Sequence, residues 1–165
     1  MNRLTKIAQA ATPGTAVQLR ANAYGSSGIR SFLRAVLAMA NASVEGPRYI
    51  IVGADCDNAG RKSFNAVDAD DFSGKPSYQA LANEYIEPPL RIRYQPVSVD
   101  GKKIGVFEIG DCQDRPYMMR IDYSETLRRG DAYIRANDSA MKMGPRHMGN
   151  LFARKFRDSV SAGDI

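Results

Sequence analysis

Residues 29–40 are the most constraining feature of this sequence. Their apolar side chains recur three and four positions apart, which is the spacing of one buried stripe on an α-helix. The stripe consists of Ile29, Phe32, Leu33, Val36, Leu37 and Ala40. Ser26 or Ser27 precedes it and is expected to cap the helix. Arg30 and Arg34, four residues apart, then share the exposed side.

A continuous apolar run at residues 49–54 follows this helix. It lies between Pro47 and the acidic turn Asp55-Cys56-Asp57, and its length suits a buried central strand. A helix followed by a buried strand indicates a layered architecture. We therefore predict an α/β (α+β) fold, in which a single mixed β-sheet of about five to six strands packs against two to three helices.

Shorter elements complete this prediction. Asp100-Gly101 fits a two-residue type I′ turn between strands at 90–99 and 103–109, although Pro96 disturbs the first of them. Further strands are predicted at 16–21, 116–121 and 132–136, and further helices at 2–11, 78–86 and 148–156.

The length of 165 residues suits a single domain, 1–165, with its core at 12–157 and a frayed tail at 159–165. The first eleven residues lack the apolar core of a signal peptide, and no run is long enough to span a membrane. We therefore expect a cytoplasmic protein with no membrane partner. Cys56 and Cys112 are too few for a disulfide framework and are expected to be buried thiols.

Charge is segregated along the chain. Residues 1–53 hold six basic residues and one acid, residues 54–89 hold three and seven, and residues 90–165 hold fourteen and ten. The planar fork of arginine suits phosphate, and 16 of the 23 basic residues are arginine. A polyanionic partner and a merely solvated basic surface both account for this distribution.

Several local phrases, taken in order, resemble the Schlafen/AlbA-like nucleic-acid-binding family over residues 12–157. In the first part of the chain they are Val17-Gln18-Leu19-Arg20, Ala38-Met39-Ala40-Asn41 and Ile50-Ile51-Val52-Gly53-Ala54-Asp55. Farther on they are Glu87-Pro88-Pro89, the strand after Asp100-Gly101-Lys102, Arg115-Pro116-Tyr117 and the run from Leu127 to Arg135. The resemblance implies an α/β domain whose partner is DNA or RNA.

Some members of that family are RNA-cleaving enzymes whose site is a trio of carboxylates. The resemblance puts those three places at Pro13, Gln18 and Asp55. Proline offers no side-chain oxygen and glutamine is neutral, so the chain loses two of the three charges that would hold a divalent metal. We therefore expect no nuclease activity and no bound metal, with Asp55 the one retained candidate ligand.

Other candidate sites are weaker. Asp57, Asp68, Asp70 and Asp71 would either join Asp55 in a different metal site or form a solvated acidic surface. The one histidine, His147, has no nucleophile in a recognisable setting. Residues 74–77 lack the first glycine and the hydroxyl of a phosphate-binding loop, so no cofactor is expected.

Strand alternation points several basic side chains away from the predicted core. Such residues would contact phosphates, or else pair with acids such as Asp122, Glu125 and Asp131. The predicted nucleic-acid-binding residues, on three strands, one helix, a hairpin tip and a loop, are Arg20, Arg30, Arg34, Arg91, Arg93, Lys102, Lys103, Arg128, Arg129 and Arg135.

Three functions follow from these features. The first is a non-catalytic nucleic-acid-binding module that contacts the phosphate backbone through a basic strand face. The second is a protein-interaction or oligomerisation domain that uses exposed sheet edges, with a homo-oligomer as the expected form. The third is a metal-dependent nuclease remnant built on Asp55.

Overall fold

A computed structural model describes the backbone of residues 2–163 and the side chains of residues 2–157. It contains four α-helices: α1 (Arg3–Ala10), α2 (Ile29–Asn41), α3 (Tyr78–Tyr85) and α4 (Pro145–Gly163). Ten strands lie among them: β1 (Val17–Arg20), β2 (Arg48–Val52), β3 (Ala54–Cys56), β4 (Lys62–Phe64), β5 (Ile86–Glu87), β6 (Ile92–Val99), β7 (Lys102–Ile109), β8 (Met118–Met119), β9 (Tyr133–Ala136) and β10 (Ser139–Lys142).

Four strands form the central mixed sheet in the order β1-β2-β7-β6. β1 is parallel to β2, and the other two pairings are antiparallel. The α/β (α+β) class is confirmed, but the central sheet is smaller than the predicted five to six strands. The other six strands pair separately, as β3 with β4, β5 with β8 and β9 with β10. β9 pairs with β10 and packs against α2 instead of extending the sheet.

Both faces of the central sheet are covered. On the face that we call the α2 face, Phe32 of α2 packs with Ile50 and Phe107 in the larger core. On the opposite face, the α1 face, Leu4 and Ala8 of α1 pack with residues of β2, β6 and β7 in a second core. A sheet buried on both sides explains why the β2 run is continuously apolar.

The start of α2 differs from the prediction. A 3-10 turn, Ser26–Gly28, leads into the helix, and Gly28 occupies the N-cap position with no side-chain hydrogen bond. The predicted serine cap is therefore wrong, because Ser26 and Ser27 lie within the 3-10 turn and not at the N-cap position. The buried stripe itself is confirmed, and burial extends around the helix from Ala35 to Asn41.

The hairpin between β6 and β7 has the predicted turn. Asp100 and Gly101 both have positive φ, 52° and 74°, as a type I′ turn requires. Val99 pairs with Lys102 across it. Pro96 is tolerated because β6 is an edge strand.

The C-terminal helix is longer than predicted. α4 runs from Pro145 to Gly163 instead of 148–156, so most of the tail expected to be frayed, 159–165, falls within its last turns. Residues 164–165 and the side chains from 158 onward lie outside the described residues. None of the described helices is long and apolar enough to cross a membrane.

Candidate nucleic-acid interface

The predicted basic residues do not share one strand face. Arg20 pairs with Val52 at one edge of the sheet and points to the α2 face. Arg93 pairs with Glu108 at the other edge and points to the α1 face, where Glu108 contacts Arg3 of α1. The prediction of a single basic strand face is therefore wrong. Alternation fixes which residues of one strand point the same way, but not which side that is in the folded sheet.

Arg20 lies over an aromatic ring at the carboxyl end of β1. Its guanidinium carbon is 3.9 Å from the centroid of the Tyr24 ring, within the range of a cation–π contact. Tyr24 is buried, and burial raises the pKa of its hydroxyl to about 12. The buried Nε of Arg20 has no hydrogen-bond partner among the described residues. The contact with Tyr24 orients the guanidinium while its charge stays unpaired.

Arg30 and Arg34 lie one turn apart on α2, and the contacts of both reach the segment 122–136. Nε of Arg30 donates a hydrogen bond to Oγ1 of Thr126 at 2.8 Å. The guanidinium of Arg34 lies 4.8 Å from the centroid of the Tyr133 ring. Both arginines are half-buried, so α2 and the following chain fix their direction.

The loop that contains Thr126 also carries the exposed Arg128 and Arg129. Asp131 Oδ2 accepts from the backbone N–H of Arg128 at 2.9 Å, and Asp122 Oδ1 accepts from that of Arg129 at 2.8 Å. Two of the predicted acidic partners thus bind backbone N–H groups of the loop instead of arginine side chains. We call the set Arg20, Arg30, Arg34, Arg128 and Arg129 the α2 arginine surface.

Ion pairs do not neutralise this surface. Within residues 2–157, the pairs with N···O distances of 4.0 Å or less are Arg3 with Glu108 and Lys142 with Asp131. The sequence itself has no acidic residue from 16 to 44, a stretch that contains β1 and α2. The α2 arginine surface therefore retains its positive charge.

The exposed turn before α2 adds backbone donors beside these arginines. The N-terminal N–H groups of a helix lack intrahelical partners. None of the described side chains caps them here, although the Gly28 N–H itself donates to the Gly25 carbonyl at 3.3 Å. An added Cβ at Gly28 would lie 3.9 Å from a terminal nitrogen of Arg20, so the turn and this guanidinium are neighbours. Uncapped N–H groups and a guanidinium together suit a phosphate oxygen.

Arg135 has a structural role instead of the predicted exposed one. It is 6% exposed, and its Nε donates to the carbonyl of Gly14 at 2.7 Å while a terminal nitrogen donates to that of Val17 at 3.2 Å. Burial lowers its pKa. Tyr133, on the same side of β9, is also buried. These side chains point inward because β9 packs on α2 and uses Arg135 to reach the start of β1.

The other four predicted residues lie elsewhere. Arg91 and Arg93 line a cleft of about 220 Å³ with Arg3, Glu108 and Asp111. Hydrogen bonding from Arg3 lowers the pKa of Glu108, and the charge of Arg93 acts in the same direction. Lys102 and Lys103 lie at the β6–β7 hairpin tip, where Lys102 Nζ donates to the carbonyl of Phe64 at 2.8 Å.

The three positions of the carboxylate trio lie together. Pro13, Gln18 and Asp55 line one cleft of about 270 Å³, and Arg135 and Asp138 line it as well. Sequence reasoning missed Asp138, whose neighbour Asn137 has φ 57° and makes the turn between β9 and β10. In the part of the chain that the structure describes, no three His, Cys, Asp or Glu residues converge as metal ligands.

The comparison with protein families gives a match over most of the chain. The family model described as Schlafen, AlbA_2 matches residues 16–144. The chain belongs to the Schlafen AlbA_2 family. The match begins just before β1 and ends just after β10, so α1 and α4 of this Schlafen AlbA_2 protein lie outside it.

Solved structures show the same fold at low identity. One is the N-terminal domain of a RecG-related protein from Nitrosomonas europaea, with 17% identity, a TM-score of 0.52, and coverage of 89% of this chain and 98% of that one. Another is a protein from Corynebacterium diphtheriae, with 16% identity, a TM-score of 0.52, and coverage of 86% of this chain and 26% of that one. No curated protein matches the chain.

Proposed function

We propose that this Schlafen AlbA_2 chain is a non-catalytic module that binds DNA or RNA by contacting phosphates with its α2 arginine surface. The observation that carries this proposal is the absence of ion-pair partners for Arg20, Arg30 and Arg34 among residues 2–157. The Nε atoms of these arginines are buried or bonded to Thr126, but their terminal nitrogens have no hydrogen-bond partner among the described residues and can donate to phosphate oxygens.

The way these side chains are held favours binding further. Arg20 lies over Tyr24 and Arg34 over Tyr133, so part of their rotamer freedom is already lost before a ligand arrives. The uncapped turn before α2 supplies backbone donors beside Arg20. Contacts of this kind read the sugar-phosphate backbone, so the expected binding depends little on base sequence and strongly on salt.

Family membership supports a nucleic-acid partner. The solved structure from Nitrosomonas europaea is a domain of a protein that is named as related to the ATP-dependent DNA helicase RecG. The absence of catalysis is proposed because Pro13 and Gln18 replace two carboxylates in the cleft that contains Asp55. The remaining acids there, Asp55 and Asp138, share the cleft with Arg135, whose positive charge opposes the binding of a metal cation.

Fluorescence anisotropy with labelled single- and double-stranded DNA and RNA tests this proposal. The double variant Arg30→Gln/Arg34→Gln is expected to weaken binding by about tenfold or more, since two phosphate contacts are lost. The matched control Arg91→Gln/Arg93→Gln removes the same charge from the opposite face and is expected to change binding by less than about threefold. Equal losses in the two variants would contradict an interface at α2.

Catalysis and self-association have separate tests. Incubation of labelled RNA with Mg²⁺ or Mn²⁺ is expected to give no cleavage, and cleavage that Asp55→Ala abolishes would contradict the non-catalytic proposal. A homo-oligomer remains a prediction. Light scattering over a concentration series tests it by measuring the molar mass in solution.

A further inference from the structure

A separate cleft of about 490 Å³ lies between the loop before α2, the 3-10 turn at Ala69–Phe72 and the start of α3. Its volume is in the range of about 300–1,000 Å³ that is usual for small-molecule sites. It lies apart from the cleft of Gln18 and Asp55, and none of the described residues lines both clefts. The arginines of the nucleic-acid proposal do not line this cleft, although Ser26 of the turn before α2 does.

Aromatic rings form one wall of the cleft. Tyr94 stacks between two phenylalanine rings, with centroids 4.6 Å from Phe72 and 3.9 Å from Phe107. Tyr78 meets Tyr94 edge to face at 5.2 Å. The carboxylate of Asp71 accepts hydrogen bonds from both phenols, at 2.6 Å from Tyr78 and 2.5 Å from Tyr94. The wall is therefore held in one arrangement before any ligand binds.

Negative charge surrounds this wall. Asp68, Asp70 and Asp71 line the cleft, and Lys75 is the one basic residue among the described residues that line it. Burial and the hydrogen bond to Asp71 raise the pKa values of Tyr78 and Tyr94, so both phenols stay neutral at physiological pH. A phosphate or a carboxylate would meet net repulsion here, so an anionic ligand does not fit.

The acids are not arranged for a metal ion. Both oxygens of Asp71 already accept phenol hydrogen bonds, and Oδ1 of Asp68 accepts from the backbone N–H of Asp70 at 3.0 Å. A hard divalent cation needs several oxygen ligands that converge on one point. Among the described residues these acids form no such group. Spread negative charge beside the ring of Phe72 instead suits a large, weakly hydrated cation.

We propose that this cleft binds a small organic cation, an amidinium or alkylammonium group carried on an apolar body. The cation lies near Asp70 and Asp71, and the apolar body packs against Phe72 and Tyr94. None of the five arginines of the α2 arginine surface is among the described residues that line this cleft, so the cation site does not rest on the proposed phosphate contacts of those arginines.

Titration of the full chain with benzamidine and benzamide, followed by amide NMR, tests the proposal. The two probes share a planar aromatic shape and differ in charge. We expect benzamidine to shift the signals of Ser26, Phe72 and Ser77, and to bind about tenfold more tightly than benzamide. Equal affinity for the two probes, or no binding of benzamidine at millimolar concentration, would overturn the proposal.

Two variants identify the site. Asp70→Asn removes a charge from an exposed side chain and is expected to weaken benzamidine binding about threefold or more. The NMR spectrum of the variant should remain that of a folded protein. Phe72→Leu removes the aromatic face and is expected to weaken it similarly. Asp111→Asn, which lies in the cleft of Arg91, is the matched control with no expected effect. Unchanged binding in both Asp70→Asn and Phe72→Leu would place the cation elsewhere and refute the site.

Discussion

Asn41 and Tyr117 exchange two hydrogen bonds in the core of the protein. Nδ2 of Asn41 donates to the carbonyl of Tyr117 at 2.9 Å, and the backbone N–H of Tyr117 donates to Oδ1 of Asn41 at 2.7 Å. Nδ2 also donates to the carbonyl of Tyr133 at 2.9 Å. One fully buried amide at the end of α2 thus ties down the chain just before β8 and at the start of β9.

Asn41→Ala is expected to lower the free energy of unfolding by about 3 kcal/mol or more, because it leaves three buried backbone groups without partners. Urea denaturation followed by circular dichroism measures this loss. Asn58→Ala, in the exposed loop between β3 and β4, is the control and is expected to change stability by less than about 0.5 kcal/mol. Similar losses in the two variants would show that the Asn41 network contributes little.

Gly53→Ala is expected to be strongly destabilising. Gly53 has φ +90°, and an added Cβ would lie 2.4 Å from the backbone oxygen of Asn65. Gly60 has a similar φ of +82°, but an added Cβ there would have no heavy atom of the described residues within 4 Å. Gly60→Ala therefore costs only the backbone strain, about 1 kcal/mol, and Gly53→Ala should cost about 3 kcal/mol or more. Thermal unfolding of Gly53→Ala and Gly60→Ala separates the steric clash from the backbone strain. Equal decreases in Tm for the two variants would contradict the clash at Gly53.

Tyr24→Phe is expected to leave stability at pH 7 unchanged or slightly higher. The Tyr24 hydroxyl is buried and has no hydrogen-bond partner among the described residues. Its pKa of about 12 in the folded state lies above the usual value of 10. The unfolded state therefore loses this proton first as pH rises from about 10 to 12, and the folded state is destabilised by about 1.4 kcal/mol per pH unit.

The phenylalanine variant removes this dependence on pH. Urea denaturation between pH 8 and pH 11.5 should show a shallower alkaline loss of stability in Tyr24→Phe than in the parent, although the raised pKa values of Tyr78 and Tyr94 leave part of the loss in place. Identical alkaline slopes for parent and variant would contradict the burial of this hydroxyl.

Arg135→Met is expected to reduce stability but not nucleic-acid affinity. The variant loses hydrogen bonds to the carbonyls of Gly14 and Val17, at a cost of about 2 kcal/mol. Because Arg135 is only 6% exposed and its guanidinium donates to backbone carbonyls, affinity per folded molecule should match that of the parent. A clear drop in the nucleic-acid affinity of fully folded Arg135→Met would show that Arg135 contributes to the interface.

The parts of the fold that the sequence predicts are those that local patterns determine. The stripe from Ile29 to Ala40 predicts α2, and Asp100-Gly101 predicts the hairpin, because helix periodicity and turn dihedrals depend on neighbouring residues. The separate pairing of β9 with β10 depends on contacts with α2 that are distant in sequence. No local pattern encodes those contacts.

The candidate site shows the same division. Alternation places Arg135 with Tyr133 and Arg20 with Gln18, and these pairings hold. The sequence does not determine whether each pair points toward the core or toward solvent. Both faces of the central sheet are covered, so a polar position that alternation assigns to the outside can still be buried by packing. Arg30 and Arg34 share one side of α2 as their spacing predicts, but that side is half-buried instead of exposed because Thr126 and Tyr133 contact it.

The salt dependence of duplex DNA binding tests the central claim most directly. Plotted as log Kobs against log[salt], the slope for the parent should exceed that of Arg30→Gln/Arg34→Gln by about 2 in magnitude, since each lost phosphate contact removes about 0.9. Arg91→Gln/Arg93→Gln should keep the parent slope. Equal slopes in all three proteins, or no binding at low salt, would contradict phosphate binding by the α2 arginine surface.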